Sequence, residues 1–245
     1  MGVPSTMTTP AAIITGAGSG IGRAIALRLG REGWRLLLVG RGMRTLRETD
    51  ELLVAGARVP EATELLPVDL ADSKSARAVI DAAMRAFGRV DGLVNNAGAS
   101  KRAPIGEISP AHISEIFEIN TLAPIHLVSA AWPVFHRQKG GVVVNISSMA
   151  SLDPYPGFMV YSASKSALDG VTRSVAVEGA PLGVTAFSIC PGAVETTMLR
   201  SLFSTEVLPP ERSLDPAGVA EVAWECLSGL RQFDNGRSIP VVRRG

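Results

Sequence analysis

The sequence predicts an α/β fold in one domain, built on a doubly wound, mostly parallel sheet of seven strands with helices on both faces. Three observations predict it. Apolar runs of four to six residues alternate with longer stretches of helical period, the pattern that repeated strand–helix–strand units produce. A glycine-rich turn follows the first apolar run and leads directly into a helix. The chain has 245 residues, a length at which one domain encloses one large core.

Strands are expected at 11–15, 35–39, 65–68, 92–95, 142–146, 184–190 and 237–242. The clearest helices are expected at 21–32, 73–87, 110–138, 159–179 and 215–230. Ser109 before Pro110 and Asp215 before Pro216 each place a capping side chain ahead of a proline, which suits a first helical turn. No repeat or linker divides residues 1–245. Residues 1–9 are expected to form a flexible N-terminus. Residues 195–214, with paired prolines at Pro209 and Pro210, are expected to form a mobile segment covering the substrate.

Composition removes several classes. Hydrophobic residues make up 46% and charged residues 19%, which excludes disordered and collagen-like chains. The formal net charge of +1 comes from interspersed basic and acidic residues, so no nucleic-acid or anionic-membrane surface is expected. The first ten residues lack the basic start and apolar run of a secretory signal, and no stretch approaches the roughly 20 apolar residues of a membrane span. A cytoplasmic location and a small-molecule partner are the resulting expectations. Cys190 and Cys226 read as buried thiols. Neither they nor His112, His126 and His136 fall in a metal-ligand spacing, so no metal site is expected.

The turn from Thr15 to Gly22 reads TGAGSGIG. Glycines there permit a tight bend and let N–H groups at a helix start approach a pyrophosphate, which is how dinucleotides are held. Tyr161 and Lys165 are four apart in an expected helix and share a face. A free tyrosine has a pKa of ~10, so only about one in a thousand is phenolate near neutral pH. A positive charge four residues away favours the phenolate and makes the pair an acid/base.

The glycine spacing Gly-x-x-x-Gly-x-Gly is followed in order by Asp69, the run Asn95 to Gly98, Asn120, the run Asn145 to Ser148, Tyr161-x-x-x-Lys165 and Pro191-Gly192. This series, spread over nearly the whole chain, resembles the short-chain dehydrogenase/reductase family in its small single-domain branch. The resemblance implies a Rossmann-type fold and a nicotinamide-dependent oxidoreductase acting on an alcohol or carbonyl. It places Gly16, Ser19, Gly20, Ile21 and Gly22 at the pyrophosphate and Asp69 and Leu70 at the adenine. Asn96, Ala97 and Gly98 lie along the ribose, and Pro191, Gly192, Val194 and Thr196 around the nicotinamide. Tyr161 and Lys165 count as cofactor contacts too.

For catalysis the resemblance implies Asn120, Ser148, Tyr161 and Lys165. Ser148 lies thirteen residues before Tyr161, the family's usual interval, and strand alternation points the adjacent Ser147 to the other face. Asn120 corresponds to the residue that holds a water beside the lysine. The second strand ends Val39-Gly40-Arg41, with no carboxylate to repel a 2′-phosphate and a guanidinium able to bind one, so NADP(H) is expected over NAD(H). The presence of both Tyr161 and Lys165 favours an enzyme over a dinucleotide-binding regulator.

The residues expected near the substrate, Leu152, Tyr155, Phe158, Val194, Leu199, Leu202 and Phe203, are largely apolar, so the substrate is expected to carry a hydrophobic body. Its chemical identity stays open at this level. The resemblance also implies a homo-oligomer, a tetramer or dimer. Two positions depart from the family pattern. Phe187 stands where an asparagine is common, and residues 237–245 lack the usual Asp-Gly-Gly.

Overall fold

The computed structural model describes residues 9–56 and 62–243, so most of the expected N-terminal segment 1–9 lies outside the described residues. Seven parallel strands form one sheet: β1 Ala11–Thr15, β2 Arg35–Gly40, β3 Thr63–Pro67, β4 Gly92–Asn95, β5 Gly141–Ile146, β6 Val184–Pro191 and β7 Ser238–Val241. Their order across the sheet is β3-β2-β1-β4-β5-β6-β7. The strand order reverses between β1 and β4, and in open α/β sheets ligands bind in the crevice at such a switch point. Central strands are buried along their length because helices cover both faces.

On one face α3 (Ser75–Phe87), α5 (Ala123–Gln138) and α6 (Met159–Gly179) pack over Ile13, Leu37, Leu93 and Val143. On the other, α1 (Gly20–Arg31), α2 (Met43–Val54) and α8 (Pro216–Leu227) cover Ile14, Leu38, Val94 and Val144. Phe187, a departure from the family pattern, is 1% exposed and fills this second layer.

The anticipated caps form. Ser109 accepts the His112 N–H at 3.2 Å and opens α4 (Pro110–Phe117), and Asp215 accepts the Ala217 N–H at 2.8 Å and opens α8.

Several expectations need correction. The helix expected at 110–138 is interrupted by a π-helical turn, Glu118–Leu122, between α4 and α5. The extra residue lets Asn120 turn its amide onto the neighbouring loop, accepting the Ala99 N–H at 2.8 Å and donating to the Ala99 carbonyl at 2.9 Å. Helix α2 was absent from the expected set because its inner stripe has only Leu46 and Leu53 as buried apolar residues. Thr49 completes that stripe, its hydroxyl satisfied by the Ala17 carbonyl at 2.9 Å. The segment 195–214 contains a short helix, α7 (Thr197–Leu202), and α8 stops three residues before the expected 230.

The glycine turn is set by close packing. Gly16 and Gly20 have φ of +66° and +52°. A Cβ on Gly22 would lie 2.3 Å from the Gly16 carbonyl oxygen and 2.5 Å from Asn96 Nδ2. Gly22→Ala is therefore expected to destabilise the fold by about 1–3 kcal/mol as an overpacked site. Denaturant unfolding of the variant beside the wild-type chain measures this, and equal midpoints would contradict the packing account.

Candidate active site

A cavity of about 1110 Å³ opens along the carboxyl ends of the central strands, at the switch point of the sheet. Its wall includes the glycine turn, the end of β2 at Gly40 and Arg41, Asp69 and Leu70, and the loop Asn96 to Ser100. Ser148, Tyr161, Lys165 and the stretch from Pro191 to Thr196 complete it. Of the residues singled out in the sequence for catalysis or cofactor contact, only Gly22 and Asn120 do not line this cavity. Gly22 instead allows α1 to close on the turn, and Asn120, fully buried, fixes the loop that carries Gly98 and Ala99.

The cofactor end is built from main chain. Ser19 caps α1, but its hydroxyl accepts no helix N–H, which leaves the first-turn N–H groups available to an anion. Thr15 joins the ends of β1 and β4, its Oγ accepting the N–H groups of Asn96 at 2.9 Å and Ala97 at 3.0 Å. Asn96 Nδ2 donates back to the Thr15 carbonyl at 2.8 Å. Asp69 accepts the Ala71 N–H at 3.0 Å and so also shapes its own turn. Arg41 is exposed and, among the described residues, forms no ion pair, so its guanidinium is free for a phosphate. These features fit a dinucleotide: small residues where a pyrophosphate would lie, free N–H donors, and a cation beyond the second strand.

The other end of the cavity is carried by α6 and the turn after β5. Tyr161 and Lys165 share one face of α6, and the Lys165 Nζ donates to the Ile146 carbonyl at 2.8 Å and lies 5.8 Å from the Tyr161 ring centre. Ser148 starts a short 3-10 turn, its hydroxyl accepting the Ala150 N–H at 3.1 Å. Ser147 and Ser148 both border the cavity, but it is the Ser148 hydroxyl that acts on the Tyr161 phenol and favours its ionised form, while Ser147 is buried and donates to the Lys165 carbonyl at 3.3 Å.

Electrostatics differ from the simple expectation that Lys165 draws the phenol down. Burial pushes the Tyr161 phenol above its usual range, the Ser148 hydrogen bond opposes this, and Cys190 adds to the rise. Burial pulls the Lys165 ammonium down to about 8, with Asp169 and Cys190 opposing that fall. The low-dielectric pocket acts on both groups and favours their neutral forms.

Beyond Tyr161 the wall is aromatic. Phe158 lies edge-on to Tyr161 at 6.0 Å between ring centres and stacks on Phe203 at 6.0 Å, and Tyr155 meets Phe203 edge-on at 6.3 Å. Arg102 sits over the Phe158 and Phe203 rings at 5.7 and 5.2 Å. Val194, Leu199 and Leu202 also line this end, but Leu152, expected here, is 49% exposed and does not. Met149, Met198, Val207 and Leu208 were not anticipated in the wall. Single apolar residues in turns and short helices carry no periodic signal that would have singled them out.

The segment 195–214 folds back on itself. Glu195 pairs with Arg200, which also donates to the Leu208 carbonyl at 2.7 Å, and Ser213 donates to Glu195 at 2.9 Å. The hydrogen bond from Arg200 holds the Glu195 carboxyl down at about 2.

Among the described residues no group of side chains could hold a metal ion, Cys190 and Cys226 are buried free thiols, and no helix is long and apolar enough to cross a membrane.

A parallel sheet with a glycine turn at its switch point, joined in one cavity to a serine, tyrosine and lysine, defines an oxidoreductase of the dinucleotide-binding α/β class. The model of the short-chain dehydrogenases matches residues 10–207, and the chain belongs to that family. An uncharacterised oxidoreductase of Staphylococcus epidermidis is 34% identical over 187 residues, 76% of this chain and 79% of that protein. A variant of actinorhodin polyketide ketoreductase, solved with NADPH, superposes with a TM-score of 0.89 at 29% identity, covering 96% of both chains. A 3-ketoacyl-(acyl-carrier-protein) reductase from Brucella melitensis, complexed with NADH, gives 0.87 at 26% identity over 96% of this chain and 98% of that one. Dinucleotide binding thus runs through these neighbours, with both forms of the cofactor.

One pH dependence follows from the geometry. Lys165 carries its positive charge below about 8 and loses it above. A step that needs the charge beside Tyr161 is therefore expected to slow as pH rises through that value. Initial rates from pH 6 to 10 read this directly, and a rate that climbs steadily to pH 10 would contradict it.

Proposed function

We propose that the protein uses NADPH in preference to NADH to reduce a carbonyl to a secondary alcohol, or runs the reverse reaction, with Tyr161 as general acid/base. The observation that carries this reading is the convergence of Ser148, Tyr161 and Lys165 on the cavity that also holds the glycine turn. Pro191 to Thr196 would hold the nicotinamide, which would supply or accept the hydride when bound. Ser148 donates a hydrogen bond to the substrate oxygen as charge develops there. Tyr161 gives its phenolic proton to that oxygen in reduction and takes it back in oxidation. Protonated Lys165 stabilises the phenolate left after transfer. Asn120 supports the reactive end by holding the loop from Gly98 to Ala99.

Arg41 supports the cofactor preference, being a cation at the end of β2 that forms no ion pair among the described residues. The aromatic wall of Tyr155, Phe158 and Phe203 supports a substrate whose body is apolar and ring-bearing, with residues 195–214 closing over it. The same reading makes the chain one cytoplasmic catalytic domain that works as a dimer or tetramer.

A panel of ring-bearing and aliphatic ketones and secondary alcohols, assayed with each cofactor, is expected to give turnover on cyclic or aryl ketones with NADPH. Higher catalytic efficiency with NADH would overturn the cofactor reading. Absence of turnover with both cofactors, together with tight dinucleotide binding, would favour a regulator. Arg41→Ala is expected to raise the KM for NADPH about tenfold, a loss of about 1.4 kcal/mol, and to leave that for NADH nearly unchanged. Tyr161→Phe keeps the ring but removes the proton, so turnover is expected to fall by about 10²–10⁴-fold while NADPH still binds, as fluorescence titration will show. Near-normal turnover in that variant would remove Tyr161 from its role.

A further inference from the structure

Behind the Tyr161–Lys165 pair lies a buried carboxylate that the proposed chemistry does not use. Asp169 follows Lys165 by one turn of α6, so Tyr161, Lys165 and Asp169 occupy the same face of the helix. The residue is 4% exposed. One carboxylate oxygen accepts the Ser188 hydroxyl at 2.5 Å and the other accepts the Ser151 hydroxyl at 2.7 Å.

Both donors sit on segments that carry the site. Ser188 belongs to β6, three residues before Pro191, where the strand enters the cavity wall. Ser151 closes the 3-10 turn that begins at Ser148, its N–H donating to the Ser148 carbonyl at 3.0 Å. The Ser151 hydroxyl also stands 2.8 Å from that carbonyl, but it has one proton, and a carboxylate is the stronger acceptor. Asp169 therefore ties together the helix bearing the acid/base, the turn bearing Ser148 and the strand leading to the Pro191 loop.

Packing alone gives no reason for a charge here. An apolar side chain facing apolar neighbours would fill the space without the cost of burying a carboxylate. Among the described residues Asp169 makes no salt bridge, and Lys165 is the cation that feels its field.

We propose that Asp169 is a positioning residue for the acid/base pair, holding the Ser148 turn and β6 against α6 and keeping a negative charge beside Lys165. The proposal rests on the reading of Tyr161 and Lys165 as that pair. Lys165 needs such support because burial draws its ammonium down to about 8, and Asp169 is the first of the two groups that oppose the fall. Among the described residues the other titratable groups around Lys165 are Tyr161 on α6 and Cys190 on β6, while the end of β5 brings the Ile146 carbonyl to its Nζ and the turn that follows brings the Ser147 hydroxyl to its carbonyl. Asp69, Glu115, Glu118 and Asp153 border the wider cavity.

The test reads charge and turnover separately. The chain has four lysines, Lys74, Lys101, Lys139 and Lys165, so the ¹³Cε resonance of labelled Lys165 can be followed through a pH titration, assigned by its absence in Lys165→Arg. In Asp169→Asn, which keeps the shape and removes the charge, the Lys165 midpoint is expected to fall by about half a pH unit or more. On the best substrate of the panel kcat is expected to drop about tenfold, with the KM for NADPH within about twofold, because the cofactor end is untouched.

Ser151→Ala releases the Ser148 turn and leaves the charge. It is expected to lower kcat with the Lys165 midpoint unmoved. An unchanged midpoint in Asp169→Asn overturns the proposal whatever turnover does, and so does a shifted midpoint with unchanged kcat. Asp169→Ser, also neutral, gives the same midpoint reading if the asparagine variant loses its native circular dichroism. The titration needs no substrate, so a wild-type chain inactive on every ketone would defeat the proposed function while the lysine midpoint still decided the role of Asp169.

Discussion

The seat of α6 on the sheet is the contact on which the rest of the site depends. Along that buried seam Asn95 Nδ2 donates to Asn145 Oδ1 at 2.8 Å, and Asn145 Nδ2 donates to the Thr172 hydroxyl at 2.8 Å, linking β4, β5 and α6. Nearer the cavity Lys165 holds the Ile146 carbonyl at the end of β5. Buried polar groups are costly unless paired, so these pairs fix one register of helix against strands where apolar packing alone would tolerate several. Tyr161 is placed against Ser148 because the helix that carries it cannot slide.

The other half of the cavity is arranged by a different force. There the main chains of the β1 turn, the β4 loop and α1 approach so closely that side chains are excluded, and the Thr15 hydroxyl bridges the strand ends. The outcome is an array of backbone donors at the start of α1, where the helix dipole favours an anion. The two halves join at the switch point because the connections leaving β1 and β4 there run to opposite faces of the sheet and leave a crevice between them. Rigid polar packing holds Tyr161 and Lys165, backbone shape forms the dinucleotide end, and an aromatic wall with the self-bonded segment 195–214 bounds the far side.

Periodicity revealed the strands well because central strands buried on both faces read as short apolar runs, and the sheet contains all seven that were expected. Helix α2 escaped notice because Thr49 takes a core position in its inner stripe, where a hydroxyl is acceptable only once the Ala17 carbonyl is beside it. The π-helical turn at Asn120 escaped for a related reason, since its cause is a hydrogen-bonding partner, Ala99, on a separate loop. Local propensity cannot register a partner that arrives only on folding.

The sequence by itself determined the element order, the glycine turn, the four-residue spacing of Tyr161 and Lys165, and the cation at Arg41, because each depends on short-range geometry of the chain. The tertiary structure decided that Lys165 is held by a backbone carbonyl and drawn down by burial, and that Phe203 comes from a distant segment to share one wall with Tyr155, Phe158 and Tyr161. It also brought Asp169 to Ser151 and Ser188, residues 18 and 19 positions away in the chain. These relations depend on desolvation and on contacts between distant segments, which exist only when the helices have settled onto the sheet.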